Sequence, residues 1–137
     1  MTGSNPMNIF QVSGRAMSAQ LVRMNTTASN LANAGAVATT PEAAYRTMKP
    51  VFRTHFDTAS NLATVDVESV VTAGEEPIKR YDPGNPLADA QGNVYESAVQ
   101  ETRELVDMME AARTYQNNVE VMQTAKSLIT ETLRLGR

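Results

Sequence analysis

The sequence contains no cysteine, no tryptophan and a single histidine among its 137 residues, and aromatic residues make up only 5% of it. Without cysteine, disulfide scaffolds, thiolate metal sites and cysteine nucleophiles are excluded. A self-contained globular core is usually richer in large rings, which bury much apolar area per side chain. The shortage of aromatic residues therefore favours an elongated molecule whose core is completed by neighbouring molecules.

The sequence also lacks a dense basic cluster and a long apolar run. Lys and Arg number 12 against 15 Asp and Glu, which gives a net charge of −3. Nucleic acid needs a concentrated basic surface, so no nucleic-acid partner is expected. No stretch approaches the roughly 20 apolar residues of a membrane span. The N-terminal segment lacks the basic and apolar regions of a cleavable secretory signal, so we expect no membrane span and, if the chain is exported, export without cleavage.

Residues that could support catalysis or bind metal are few. His55 lies in a predicted strand without Asp, Glu or Cys at ligand or triad spacing. Residues 82–93 contain two aspartates and a glycine but lack the order and closing glutamate of a calcium-binding loop. Four acidic residues with i, i+3 spacing are interpreted as a solvated face that favours the helix dipole: Glu101, Glu104, Asp107 and Glu110. We therefore expect no enzyme activity, no cofactor and no metal site.

Two long amphipathic helices are predicted, one at each end of the chain. Their apolar positions advance in steps of three and four, a spacing that keeps them on one stripe able to follow a partner helix. The first stripe consists of Phe10, Gly14, Met17, Leu21, Met24, Ala28 and Leu31. The second consists of Leu105, Met109, Ala112, Tyr115, Val119, Met122, Ala125, Ile129 and Leu133. We predict that the helices pair as a coiled-coil-like hairpin and then pack against further subunits.

The first helix is predicted from about Asn8 to about Asn33, after a mobile segment of residues 1–7. Asn8 followed by Gln11 resembles a capping box. Gly35 is expected to end the helix in a left-handed conformation.

The polar face of the first helix carries amides and hydroxyls, with Arg15 and Arg23 as its only charges. A solvated helix face usually carries many charges. Neutral polar groups can be buried when they find hydrogen-bond partners. We therefore predict that this helix is contacted on more than one side.

The central region is predicted to contain strands and turns. Residues 45–56 and 62–72 are rich in strand formers and are expected to pair as a hairpin. Pro50 places the first of them at a sheet edge or a break. Gly74 to Asn93 should be extended and rich in turns.

The second helix is predicted to begin between Ser97 and Thr102, with Ser97 and Gln100 as a capping-box candidate and Gly136 as its end. A helix of this length spans roughly 50 Å, too long for such a short chain to bury alone.

These elements give a mainly α fold with a small β region. We expect a helical core from residues 1–34 and 97–137 and a central β or extended region from residues 35–96. Methionine is unbranched and adaptable, and several of the eight methionines lie on the stripes. The candidate assembly interface consists of Met17, Leu21, Met24, Ala28, Leu31, Leu105, Met109, Ala112, Tyr115, Val119, Met122 and Ile129.

Three blocks resemble the bacterial flagellar basal-body rod proteins, most closely the proximal-rod members. Residues 13–34 resemble the N-terminal signature through Met17, Ala19, Gln20 and Asn30 to Asn33. Residues 81–94, YDPGNPLADAQGNV, resemble a more specific stretch of the proximal-rod members. Residues 104–137 carry the third block through Ala111, Arg113, Tyr115 and Asn118.

The resemblance implies a structural role. Such proteins are exported unprocessed through the flagellar type III apparatus and assemble with copies and with other rod proteins into a helical tube. This tube is a drive shaft across the periplasm. The helix ends are expected to order fully only on assembly, because the helices are long for such a small chain and carry neutral polar faces. A disordered end also threads an export channel more easily. The alternatives left open are a small helical adaptor or secretion chaperone and, more remotely, a hydrolase that uses His55.

Overall fold

The computed structural model describes residues 6–136 and contains two long helices, one at each end, with five strands between them. Helix α1 spans Pro6–Ala32 and helix α2 spans Glu101–Leu135. The predicted mainly α architecture with a central β region is confirmed. The strands are β1 (Val37–Ala38), β2 (Met48–Asp57), β3 (Leu62–Thr72), β4 (Ile78–Tyr81) and β5 (Asn93–Glu96).

Helix α1 begins earlier than predicted. Pro6 is its first residue, a position where the fixed φ and missing N–H of proline are compatible with the helix. Asn8 therefore lies inside the helix and not at its N-cap, so the predicted capping box with Gln11 is wrong. Of the segment predicted to be mobile, residues 1–5 lie outside the described residues, whereas Met7 is helical.

Tight turns end helix α1 close to the predicted position. The N–H of Ala34 donates to the carbonyl of Leu31 and that of Ala36 to the carbonyl of Asn33, both at 3.2 Å. Such i to i+3 bonds satisfy the last carbonyls without a residue of positive φ. Gly35 is accordingly not one of the positive-φ residues, and the left-handed cap predicted there is wrong.

Strands β2 and β3 form the predicted antiparallel hairpin. Asp57 pairs with Leu62 next to the turn and Met48 with Thr72 at the far end, with a register shift between Val51 and Phe52. The two strands form a sheet of their own, so Pro50 lies on an edge strand as predicted. At the turn, the hydroxyl of Ser60 and the N–H of Ala59 donate to the Asp57 carboxylate and lower its pKa.

A three-stranded antiparallel sheet, in the order β1-β5-β4, combines one strand from before the hairpin with two strands from after it. The turn-rich segment between β4 and β5 is tied by the N–H of Asp82 to the carbonyl of Gly92 at 2.9 Å. Gly92 has φ +79, and a Cβ there would lie 3.0 Å from the ring of Tyr81, so this tight turn requires glycine.

The carboxylate of Asp89 accepts hydrogen bonds within this turn. Its Oδ1 accepts the N–H of Asn93 at 2.8 Å and that of Gln91 at 2.9 Å. The Asn93 N–H is the main cause that lowers the pKa of Asp89. The aspartates of residues 82–93 thus shape the turn, as the abundance of proline and glycine suggested.

Helix α2 begins at Glu101, within the predicted window. Its N-cap is Gln100, which has an extended backbone and makes no side-chain cap bond. The Ser97 hydroxyl accepts the N–H of Val99 at 3.4 Å, so the predicted Ser97–Gln100 capping box is wrong. Gly136 is the C-cap, and its N–H donates to the carbonyl of Thr132.

The two helices lie side by side and run in opposite directions. Asn30 near the end of α1 binds Glu104 near the start of α2, and Arg23, about two turns earlier, binds Asp107 and Glu110. At 1.5 Å per residue, the 27 residues of α1 span about 40 Å and the 35 residues of α2 about 52 Å. Helix α2 is therefore too long to be covered by α1.

The core formed by the described residues is thin. Its buried apolar side chains are five alanines and one valine: Ala19, Ala34, Ala44, Val94, Ala111 and Ala125. The accessible surface of the chain is 9348 Å², against about 7,000 Å² for a compact monomer of the same mass. The molecule exposes surface that a compact fold of this size buries.

Candidate assembly surface

A buried polar cluster fixes α1, α2 and the hairpin to one another. Asn30 is 1% exposed, and its amide makes four hydrogen bonds. Its Nδ2 donates to the carbonyl of Met48 at 2.8 Å and to Oε2 of Glu104 at 2.9 Å. Its Oδ1 accepts the hydroxyl of Tyr45 at 2.8 Å and the N–H of Met48 at 2.9 Å. All four capacities of the Asn30 amide are therefore used; we call these four residues the Asn30 cluster.

Glu104 corrects one prediction from the sequence. The i, i+3 acidic residues of α2 were interpreted as a solvated face, but Glu104 is only 4% exposed and lies inside the Asn30 cluster. Asp107 and Glu110 bind Arg23, at 3.4 and 3.3 Å. Asp107 is half-buried, whereas Glu101 and Glu110 are exposed, as the original interpretation has them.

Helix α1 is contacted on two sides, as its neutral polar face predicted. Arg15 binds Asp66 of strand β3 at 2.7 Å, which places the hairpin on one side. Arg23 and Asn30 bind residues of α2, so α2 contacts a second side of α1. Ser13, Thr26 and Thr27, three neutral polar residues of α1, are buried.

The outward face of the helix pair is the side opposite the hairpin. At 100° per residue, Arg15 and Leu21 lie on opposite sides of the contact that α1 makes with α2, and Arg15 is on the hairpin side. On α2, Glu110 lies on the hairpin side of the contact with α1, where it binds Arg23. Leu105 and Met109 lie on the opposite side of that contact. The stripes of the two helices therefore meet on one face that the hairpin does not cover.

The predicted interface residues divide into a half-buried seam and an exposed margin. Leu21 is 45% exposed, Leu105 48% and Met109 72%, and Ala28 is exposed beside them. The half-buried members are Met17, Met24, Leu31, Ala112, Tyr115, Val119, Met122 and Ile129. The stripes thus begin in the contact between the helices and continue onto the outward face.

Other apolar surface was not predicted from the sequence. Val121, Leu128 and Leu135 recur every seven residues on α2 and are exposed. Their heptad spacing can be read from the sequence, but the predicted stripe of α2 is a longer and stronger helical pattern. On the hairpin, Phe52 and Phe56 are exposed as well, although strand alternation alone did not indicate which face stays uncovered.

A cleft of about 410 Å³ lies beside the Asn30 cluster. Its wall carries both cationic and acidic side chains, among them Arg23, Arg103 and Asp107. Across residues 6–136, no group of three or more His, Cys, Asp or Glu side chains could hold a metal ion. His55 is exposed on β2 opposite Thr64.

Within residues 6–136, neither helix combines the length and the apolar character needed to cross a bilayer.

Comparison with known proteins gives two family matches. Residues 10–36 match the model described as flagella basal body rod protein, and residues 90–135 match flagellar basal body rod FlgEFG protein C-terminal. These matches fall on α1 and on β5 with α2, the segments that carry the Asn30 cluster and the outward face. Neither description names a catalytic activity.

Curated relatives are similar over nearly the whole chain. The flagellar basal-body rod protein FlgC of Salmonella typhimurium is 44% identical over 133 residues, 96% of this chain and 98% of the relative. FlgC of Escherichia coli O6:H1 is 41% identical over 131 residues, with the same coverage. FlgC of Agrobacterium fabrum is 32% identical over 126 residues, 91% of each chain. This chain therefore belongs to the flagellar basal-body rod protein family, as a FlgC-like member.

Proposed function

We propose that this chain is a structural subunit of the proximal rod of the flagellar basal body. In this role it is exported unprocessed by the flagellar type III apparatus and joins copies of itself and other rod proteins. Together they build a helical tube that crosses the periplasm as a drive shaft. Family membership supports the rod assignment, and the surface of the helix pair supports the mode of assembly.

The outward face is the observation that carries the proposal. Leu21, Leu105 and Met109 form an apolar margin on one side of two long helices, continuous with the seam between them. Large exposed apolar surface on a folded chain marks a site of interaction. A tube wall of packed helix pairs covers such a face along its length, whereas a monomer leaves it in water.

The thin core supports the same conclusion. Torque has to pass through many contacts between subunits, so extended stripes suit the task better than one compact patch. In this proposal the terminal segments, residues 1–34 and 97–137, form the helical wall and supercoil in the manner of a coiled coil. Residues 35–96 reach adjacent subunits, and the stripe methionines accommodate partners of different sequence.

Fractionation tests the proposal against the alternative of a helical adaptor or secretion chaperone. Cells that produce the chain with a small epitope tag are separated into cytoplasm and purified basal bodies. We expect the chain to copurify with basal bodies at full length. A chain found only in the cytoplasm, in cells that assemble normal basal bodies, would identify an adaptor or chaperone and contradict the rod assignment.

A further inference from the structure

Helix α2 carries a second uncovered stripe, on the side of the helix pair where Glu110 binds Arg23. At 100° per residue, this side of α2 continues after Glu110 through seven residues without charge: Thr114, Asn117, Val121, Thr124, Leu128, Thr132 and Leu135. Thr114 is half-buried and the other six are exposed. A solvated helix face usually carries charges, so a stripe of this composition indicates that another surface covers it.

One exposed residue of α1 joins this stripe. Ile9 lies almost four turns before Arg23 and therefore on the same side of α1. Counted from the Asn30–Glu104 contact, it falls opposite about residue 125. Ile9, Val121 and Leu128 are 37%, 48% and 59% exposed; we call these three residues the second face. Among the described elements α2 packs against α1 alone, so the hairpin leaves the second face uncovered.

The outward face and the second face lie on opposite sides of the helix pair and at different heights along it. In the register set by Asn30 and Glu104, Leu21 lies level with about residue 113 of α2. Together with Leu105 and Met109, it centres the outward face on about residue 109. The second face is centred on about residue 125. The two centres are therefore separated by about 16 residues, or about 24 Å along the helix axis.

The accessible surface of the chain is large enough for both faces to be interfaces. It exceeds that of a compact monomer of the same mass by about 2,300 Å². A stable protein–protein interface of ordinary size covers about 800 Å² on each partner. Two such interfaces therefore fit within the excess surface.

We propose that the outward face of one subunit docks on the second face of another copy of this chain. The contact joins two different patches and is therefore heterologous. With the helices parallel, the two faces meet only when the copies are shifted by about 24 Å along the axis. This shift makes successive copies rise in an open helix, whereas a pairing of two outward faces would close after two copies and leave both second faces in water. The proposal names the partner of the outward face and so rests on the proposed function.

The charges at the back of α2 complement each other at this shift. Arg113 and Glu131 are exposed, and within residues 6–136 neither forms an ion pair. They are five whole turns apart and therefore lie on the same side of the helix. A shift of about 16 residues brings Arg113 of one copy to within about 3 Å, along the axis, of Glu131 of the next.

Disulfide cross-linking tests the pairing in a chain that has no cysteine of its own. Leu105→Cys on the outward face and Val121→Cys on the second face are produced in the same cells with different epitope tags. These two positions come level at the proposed shift, so a mild oxidant should give dimers that carry both tags. The control partner for Leu105→Cys is Leu135→Cys, which lies on the same side as Val121 but about 21 Å farther along α2. It should give at least about tenfold fewer dimers, because a disulfide requires Cα atoms within about 7 Å.

A second pair guards against a local folding defect in the first. Ala112→Cys and Leu128→Cys are also 16 residues apart and should cross-link in the same way. Dimers of Leu105→Cys with itself would show that two outward faces pair and would overturn the proposal. Equal yields with Val121→Cys and Leu135→Cys, or no dimers with both tags from either pair, would overturn it as well.

The same cells separate this proposal from the proposed function. A chain found in basal bodies without the dimers expected from the two pairs would overturn the face pairing and leave the rod assignment intact. A chain that forms these dimers but is absent from basal bodies would do the reverse.

Discussion

Leu21→Asp is expected to abolish incorporation of the chain into basal bodies and therefore motility. Leu21 lies on the outward face, where a neighbouring subunit would bury the new carboxylate without a partner. Burial of an unpaired charge is costly enough to prevent association. In the isolated chain Leu21 is 45% exposed, so the free energy of unfolding should change by no more than about 1 kcal/mol. Swimming assays and basal-body fractionation measure the first effect, and chemical denaturation measures the second.

Leu21→Met is the matched control, because it keeps an apolar side chain of similar volume. It should swim and assemble as the unmodified chain does. Val119→Asp should also block assembly, but Val119 is half-buried in the isolated chain, so that variant disturbs packing within the subunit as well. Normal motility of Leu21→Asp would remove this residue from the interface.

Asn30→Ala is expected to destabilise the isolated chain by about 3–5 kcal/mol, because it removes four hydrogen bonds and leaves several buried groups unpaired. The groups that lose a hydrogen bond to Asn30 are the N–H and carbonyl of Met48, the Tyr45 hydroxyl and the Glu104 carboxylate. Of these, the Tyr45 hydroxyl keeps a longer contact with Ser29 Oγ at 3.4 Å. Since natural domains are stable by about 5–15 kcal/mol, such a loss can unfold a large fraction of the protein. Urea denaturation followed by circular dichroism measures the change.

Asn25→Ala serves as the control on the same helix, since Asn25 is exposed. Its effect should remain within about 0.5 kcal/mol. If the two variants were equally stable, the Asn30 cluster would not hold the three elements together.

The two helices and the hairpin could be predicted from the sequence because their signals are local. The steps of three and four from Phe10 to Leu31 indicate a helical stripe without reference to the rest of the chain. The alternation of Leu62 to Thr72 indicates a strand in the same way, and β3 has these bounds in the structure.

Helix ends were harder to predict, because alternative local bonds compete for the same backbone groups. The Ser97 hydroxyl binds the N–H of Val99 instead of capping α2. The turns at Ala34 and Ala36 satisfy the end of α1 and remove the need for a left-handed glycine. A capping-box pattern identifies a candidate for such bonds but does not determine which one forms.

The Asn30 cluster could not be predicted because its members are far apart in the chain. Glu104 lies 74 residues after Asn30, and its spacing with other acidic residues suggested a solvated face. The available signal was on the other helix, where the neutral polar face around Asn30 indicated burial. Which acidic side chain satisfies that face is decided by the antiparallel register of the pair, which neither stripe specifies.

A density map of the assembled basal body at side-chain resolution would show whether the outward face is an interface between subunits. We expect Leu21, Leu105 and Met109 to contact a neighbouring subunit along this face of the helix pair. A map in which these three side chains face solvent or an open channel, while the chain occupies the rod, would contradict it.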